Sequence, residues 1–163
     1  MRPTADICDE NEIAISNGML QIMPSIFQCF GKKKDMAGKV ITVKAIEDNT
    51  FVRKILEGEG LGQILIIDGA GSDRCALLGG NLACLAVENG WSGIIVYGSV
   101  RDAAELIQCE IGIWALSTSP RKSKKLNSGK PGTQINIGNI IINQGDYCLA
   151  DSDGILISKI LLE

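Results

Sequence analysis

The feature that most constrains this chain is an alternation through its centre. QILIIDGAG (63–71), GIIVYG (93–98) and GIWALS (112–117) are short, continuously apolar runs. Between them lie NLACLAVENG (81–90) and RDAAELIQCE (101–110), whose apolar residues recur at helical spacing. Strands without polar alternation are buried on both faces, and strand–helix–strand repeats return the chain parallel to itself. The centre therefore reads as a parallel or mostly parallel sheet with helical crossovers, in an α/β protein.

The flanks extend that pattern. TADICDENEI (4–13) reads as a short helix with Thr4 as N-cap, and the alternating, β-branched stretch from MAGKVITVKAI reads as a strand over 38–46. Asp48 or Asn49 is placed to cap a helix through TFVRKILEGEG, which its glycines end. PRKSKKLNSGKPG (120–132) reads as a basic loop, and TQINIGNIIINQGDYCLADSDGILISKI (133–160) as short strands between Gly, Asn and Asp turns. With 163 residues, 45% of them hydrophobic, one domain over 1–163 is expected rather than two.

Composition removes several kinds of chemistry. The chain has no histidine, which excludes Ser-His and Cys-His catalysis within it. Its net charge of −3 gives no broad basis for binding nucleic acid or acidic membranes. Six cysteines without a CxxC pair, several inside apolar runs such as LACLAV, fit buried reduced thiols of a cytoplasmic protein better than disulfides or a zinc site. No apolar run approaches the ~20 residues of a spanning helix.

Two turns concentrate what chemistry remains. Gly79, Gly80, Asn81 and Leu82 open a helix, where free amides and the helix dipole favour an anion. Arg101-Asp102 follows the carboxyl end of GIIVYG, where open α/β sheets place their sites. Either could also be an ordinary wet turn. Together they offer Arg101 to grip a planar carboxylate, amides for another part of the same ligand, and Asp102 to hold a hard divalent cation. Glu105, one helical turn on, is placed to hold or use a water.

DGAGSDRCALL, GGNLACLAVENGWSGIIVYGSVRD, STSPRKS and GDYCLADSDGILIS, together with EDNTFVRK, closely resemble one family over nearly the whole chain. It is the family of the regulator of ribonuclease E activity A and of the class II 4-hydroxy-4-methyl-2-oxoglutarate aldolases. In enzyme-competent members the pattern is Gly, twenty residues, Arg-Asp, two residues, then Glu or Asp; Gly80, Arg101, Asp102 and Glu105 match it. Members that act purely as regulators can lack the aspartate. The larger aldolases carry an acidic residue where Gly80 stands and a longer C-terminal region that this chain does not have.

The resemblance implies a compact α/β/β swivelling, phosphohistidine-domain-like fold and a homotrimer, in some members paired into hexamers. It also implies Mg²⁺ or Mn²⁺ on Asp102, a small α-keto acid substrate, aldol cleavage, and oxaloacetate decarboxylation through the same pyruvate enolate. The alternatives are a non-catalytic regulator that binds a ribonuclease E-type partner, a Schiff-base aldolase using Lys39 or Lys44, and an RNA-binding loop at Arg121, Lys122, Lys124 and Lys125.

Overall fold

A computed structural model describes residues 1–162. In chain order it contains α1 (Thr4–Glu10), α2 (Glu12–Ser16), β1 (Leu20–Ile22), β2 (Gln28–Cys29), β3 (Met36–Lys44), α3 (Thr50–Leu56), β4 (Ile64–Asp68) and β5 (Ala76–Leu78). It continues with α4 (Gly80–Glu88), β6 (Gly93–Val100), α5 (Ala103–Leu106), β7 (Gly112–Thr118), β8 (Lys130–Pro131), β9 (Ile135–Ile137), β10 (Ile140–Ile142), β11 (Tyr147–Ala150) and β12 (Ile155–Ser158). The chain is α/β, as the alternation requires.

The main sheet runs β1-β12-β11-β3-β4-β6-β7-β2, and its centre, β3-β4-β6-β7, is parallel. All of β4 is buried because both of its faces are covered. Successive side chains point to opposite faces. Leu65 and Ile67 join Val43, Ile94 and Val96 against Val52 and Leu56 of α3 and Leu82, Ala83 and Ala86 of α4. Ile64 and Ile66 join Val40, Ile95 and Trp114 against Ile135, Ile137, Ile142, Cys148 and Ile157 of the C-terminal strands. Helices thus cover one face and strands the other, each fully buried Ile or Leu contributing about 1.5–3 kcal/mol.

Several expectations change. The outer pairs β1–β12, β12–β11, β11–β3 and β7–β2 are antiparallel, so only the centre of the sheet is parallel. A short turn requires that return only between β11 and β12; the other three pairs bring together segments distant in sequence. The strand expected over 38–46 begins at Met36 and ends at Lys44. Thr4 is the first helical residue rather than the N-cap. Its hydroxyl and amide donate to the Asp151 carboxylate at 2.7 and 2.8 Å, which pins the N-terminal helix to the C-terminal strands. CALLGG holds a strand, β5, that pairs with β6. All six cysteines are free; Cys75, Cys109 and Cys148 are buried, but Cys84 is exposed on the outer side of α4.

Because β3, β4, β6 and β7 run parallel, their carboxyl ends open on one edge, and the segments 45–49, 69–75, 101–102 and 119–126 gather there. Ala76 pairs with Lys122 and Asp48 with Lys124, so the basic segment after β7 runs between β5 and the turn before α3.

Candidate active site

β6 delivers Arg101 and Asp102 to that edge. The Arg101 amide donates to the Leu78 carbonyl at 2.9 Å, extending the β5–β6 pairing up to the site. Asp102 then adopts φ 60°, ψ 43°, the left-handed region, at about 1–2 kcal/mol for a residue with a Cβ. This turn lets its carbonyl accept the first amides of α5, from Glu105 at 2.8 Å and Leu106 at 2.9 Å. Its side chain points the other way, to α4, where Oδ2 accepts the Gly80 amide at 2.9 Å. One aspartate therefore fixes the starts of two helices, and its exposed carboxylate stays beside Arg101.

The two glycines make room for this arrangement. A Cβ on Gly79 would stand 2.7 Å from Asp102 Oδ2 and 3.3 Å from Arg101 Cγ. A Cβ on Gly80 would run into Glu105 Oε2, so the Glu105 carboxylate fills the space that a side chain at position 80 would take. The Gly80 amide is engaged by Asp102. In the first turn, Asn81 and Leu82 carry the remaining amides without an intrahelical acceptor, since the first helical bond runs from Ala83 to the Gly79 carbonyl.

Gly79, Asn81, Leu82, Arg101 and Asp102 line one small cavity of about 80 Å³. Gly80 is buried beneath them. Glu105 lies on the outer side of Gly80 and lines a separate, mostly apolar groove of about 560 Å³ with Cys84, Val87 and Cys109 between α4 and α5. There, burial pushes the Cys109 thiol up, and the neighbouring Cys84 adds to the effect.

The cavity also takes in residues that sequence reasoning did not assign to it: Asn49, Arg53, Lys122, Ser123 and Lys125. The rule that sites form at the carboxyl ends of parallel strands could have suggested them, because 45–49 and 119–126 follow two such strands. Asp48 holds these segments together. Its Oδ1 accepts the Thr50 amide and hydroxyl at 2.9 and 2.6 Å, and its Oδ2 accepts the Leu126 and Ser128 amides at 2.7 and 3.2 Å and the Ser128 hydroxyl at 3.0 Å. Burial alone would raise this carboxyl, but the bonds from Thr50, Leu126 and Ser128 outweigh it and hold it well below the usual carboxylate range.

No group of three or more His, Cys, Asp or Glu gathers as a metal cage among the described residues. What does fit is the sparser demand of a magnesium-like ion, met by one or two carboxylates with water and substrate oxygens completing the shell. Asp102 is the carboxylate that lines the cavity; Glu105 lies across Gly80 in the outer groove and does not reach it. Lys39 and Lys44 do not line the cavity: Lys39 Nζ stands 5.9 Å from the centre of the Tyr147 ring, and Lys44 pairs with Lys130 on β8.

A family model described as Aldolase/RraA, RraA-like, matches residues 4–157. The chain belongs to the RraA-like family. A relative in Arabidopsis thaliana, provisionally named 4-hydroxy-4-methyl-2-oxoglutarate aldolase 3, is 49% identical over 96% of this chain and 94% of its own length. The solved structure of the RNA-processing inhibitor RraA from Thermus thermophilis superposes with a TM-score of 0.93 at 40% identity, covering 100% of this chain and 96% of that one. A structure from Geobacillus kaustophilus, titled as an S-adenosylmethionine:2-dimethylmenaquinone methyltransferase, gives a TM-score of 0.93 at 38% identity, covering 99% and 97%. Proteins similar to this chain thus carry three different names, and the site has to discriminate between them. No helix among the described residues is long and apolar enough to cross a membrane.

Proposed function

We propose that this RraA-like chain is a divalent-metal-dependent lyase that cleaves 4-hydroxy-4-methyl-2-oxoglutarate into two pyruvates and decarboxylates oxaloacetate. The observation that carries this reading is the pairing of Arg101 and Asp102 at the mouth of a cavity roofed by the first turn of α4. Arg101 takes the substrate's C1 carboxylate through two parallel hydrogen bonds, and the Asn81 and Leu82 amides orient its oxygens. Asp102 would hold Mg²⁺ or Mn²⁺, with water and substrate oxygens completing the shell. That ion supplies Lewis acidity toward the negative charge that forms on the 2-oxo oxygen.

The C4 hydroxyl gives up its proton, the C3–C4 bond breaks, and the electron pair stays on the C1–C3 fragment as pyruvate enolate. A water in the cavity takes that proton and returns one to C3; Glu105, expected to hold this water, lines the groove on the far side of Gly80 instead. Oxaloacetate loses carbon dioxide to reach the same enolate. We place the reaction in the cytoplasm, where six unpaired thiols stay reduced, and in a homotrimer or a pair of trimers.

Turnover of both substrates with Mg²⁺, abolished by EDTA and without borohydride trapping in the presence of pyruvate, is the expected result. Arg101→Ala should lower kcat/KM by about 10²–10³-fold. Asp102→Asn should do the same while keeping its melting temperature, because asparagine can still accept the Gly80 amide and tolerates the left-handed turn. A wild-type protein without metal-dependent turnover of either substrate would sink the lyase reading. The second reading, a regulator that masks a ribonuclease E-type partner, has its support in the likeness to the RNA-processing inhibitor.

A further inference from the structure

The basic segment after β7 does more than border the Arg101 cavity. Lys122, Ser123 and Lys125 line both that cavity, of about 80 Å³, and a larger cleft of about 550 Å³ beside it. These three residues therefore border both volumes. At ~30 Å³ per water, the smaller one has room for two or three waters or for the 2-oxo acid end of a ligand. For a longer substrate, the neighbouring cleft is the larger space that these shared residues border.

The cleft is strongly cationic although the chain carries a net charge of −3. Arg74, Arg121, Lys122, Lys124 and Lys125 face one carboxylate, Glu47. Glu47 is already taken: it is paired with Arg74 and accepts the Ser72 hydroxyl at 2.8 Å. Among the described residues Arg121, Lys122 and Lys124 form no ion pair, and Lys125 Nζ meets only a neutral oxygen, Asn49 Oδ1, at 3.2 Å.

Ser123 is an independent observation. It is 6% exposed, and its Oγ is the single buried side-chain polar atom among the described residues without a hydrogen-bond partner. Buried hydroxyls are normally paired, and an unpaired one is destabilising. Lys124 lies next to it, held by backbone bonds to the Glu47 carbonyl and from the Asn49 amide, so the backbone around Ser123 is fixed while its hydroxyl lacks an acceptor.

We propose that Lys122, Ser123 and Lys125 form a second anion subsite, which takes the distal carboxylate of a dicarboxylic 2-oxo acid whose other end is held by Arg101. The proposal rests on the lyase reading above and narrows it to substrates with two carboxylates. Charged donors from two lysines and a hydroxyl supply charge-assisted bonds at that end, and a monocarboxylic analogue leaves them unused.

The test is calorimetric titration of the full chain, with Mg²⁺, by 2-oxoglutarate and by pyruvate. Both present a 2-oxo acid end, but only the former has a distal carboxylate, and neither has an aldol bond to break. Wild type should bind 2-oxoglutarate at least tenfold more tightly. Lys122→Met/Lys125→Met should lose most of that preference, Ser123→Ala part of it, and KM for 4-hydroxy-4-methyl-2-oxoglutarate should rise more than kcat falls. An unchanged preference in the double variant overturns the subsite and leaves the lyase reading standing if wild type turns over. Lack of wild-type turnover overturns the lyase reading and the subsite with it. Unaltered melting of Lys122→Met and Ser123→Ala alone checks the fold.

Discussion

Asp48 and Asp102 each turn a carboxylate toward backbone amides of a neighbouring segment rather than toward open water. For Asp48 the consequence is structural. Replacing it with asparagine removes one of two accepting oxygens and strands buried donors from Thr50 or from Leu126 and Ser128, a loss of about 2–3 kcal/mol. A carboxyl whose folded value lies below its unfolded one stabilises the protein above the unfolded value, and that contribution disappears as pH falls toward the folded one. Asp48→Asn should therefore melt less steeply dependent on acid than wild type, with the largest difference at neutral pH and the curves converging below the carboxylate range. Parallel acid dependence in the two proteins would refute this. At this scale the sequence was informative where chemistry follows from chain neighbours: Arg101 and Asp102 stand together because a buried strand ends there. Ser123 was not legible, because its burial comes from where residues 45–49 and 76 pass, and no local pattern encodes that path.

The start of α4 shows what two adjacent glycines do. Gly79 has φ −137° and ψ −168°, extended backbone open to any residue, so its requirement is one of space alone. Gly79→Ala pushes a methyl against Asp102 Oδ2, and the side chain on which the helix start depends must move. Crowding of this kind costs roughly 1–3 kcal/mol. We expect kcat/KM to fall by at least tenfold with only a modest drop in melting temperature; intact activity would show that Asp102 has other places to go. The same helix is legible in the sequence because Leu82, Leu85 and Ala86 recur with its period and Gly90 closes it. β5 was hidden in the three residues before the glycines, and β1 and β2 are too short to show alternation. The antiparallel rim escaped for a different reason. Pairing direction is fixed by the long path that brings β11 beside β3 and β7 beside β2, and a short apolar run carries no sign of it.

Across the whole molecule, one parallel sheet core sets the place of the chemistry, and the layers on its two faces set its rigidity. The central α/β alternation and the mainly β tail are legible in continuous apolar strands and their turns, whereas the α/β/β layering is what the family resemblance implies. The convergence of 45–49, 101–102 and 119–126 on one edge needed the sheet itself. Residues such as Val87 and Ile107 leave the α4–α5 side apolar and exposed, which suits contact with a second copy. Sedimentation velocity should find three or six copies of the 17.4 kDa chain; a monomer at micromolar concentration would contradict the proposed assembly. Glu105 makes this more than a question of size. Its carboxylate rests against Gly80 on one side and lines the outer α4–α5 groove on the other. If copies meet in that groove, the wall around this carboxylate is completed only on association. Specific activity should then fall on dilution, in step with the loss of the oligomer, and recover on reconcentration.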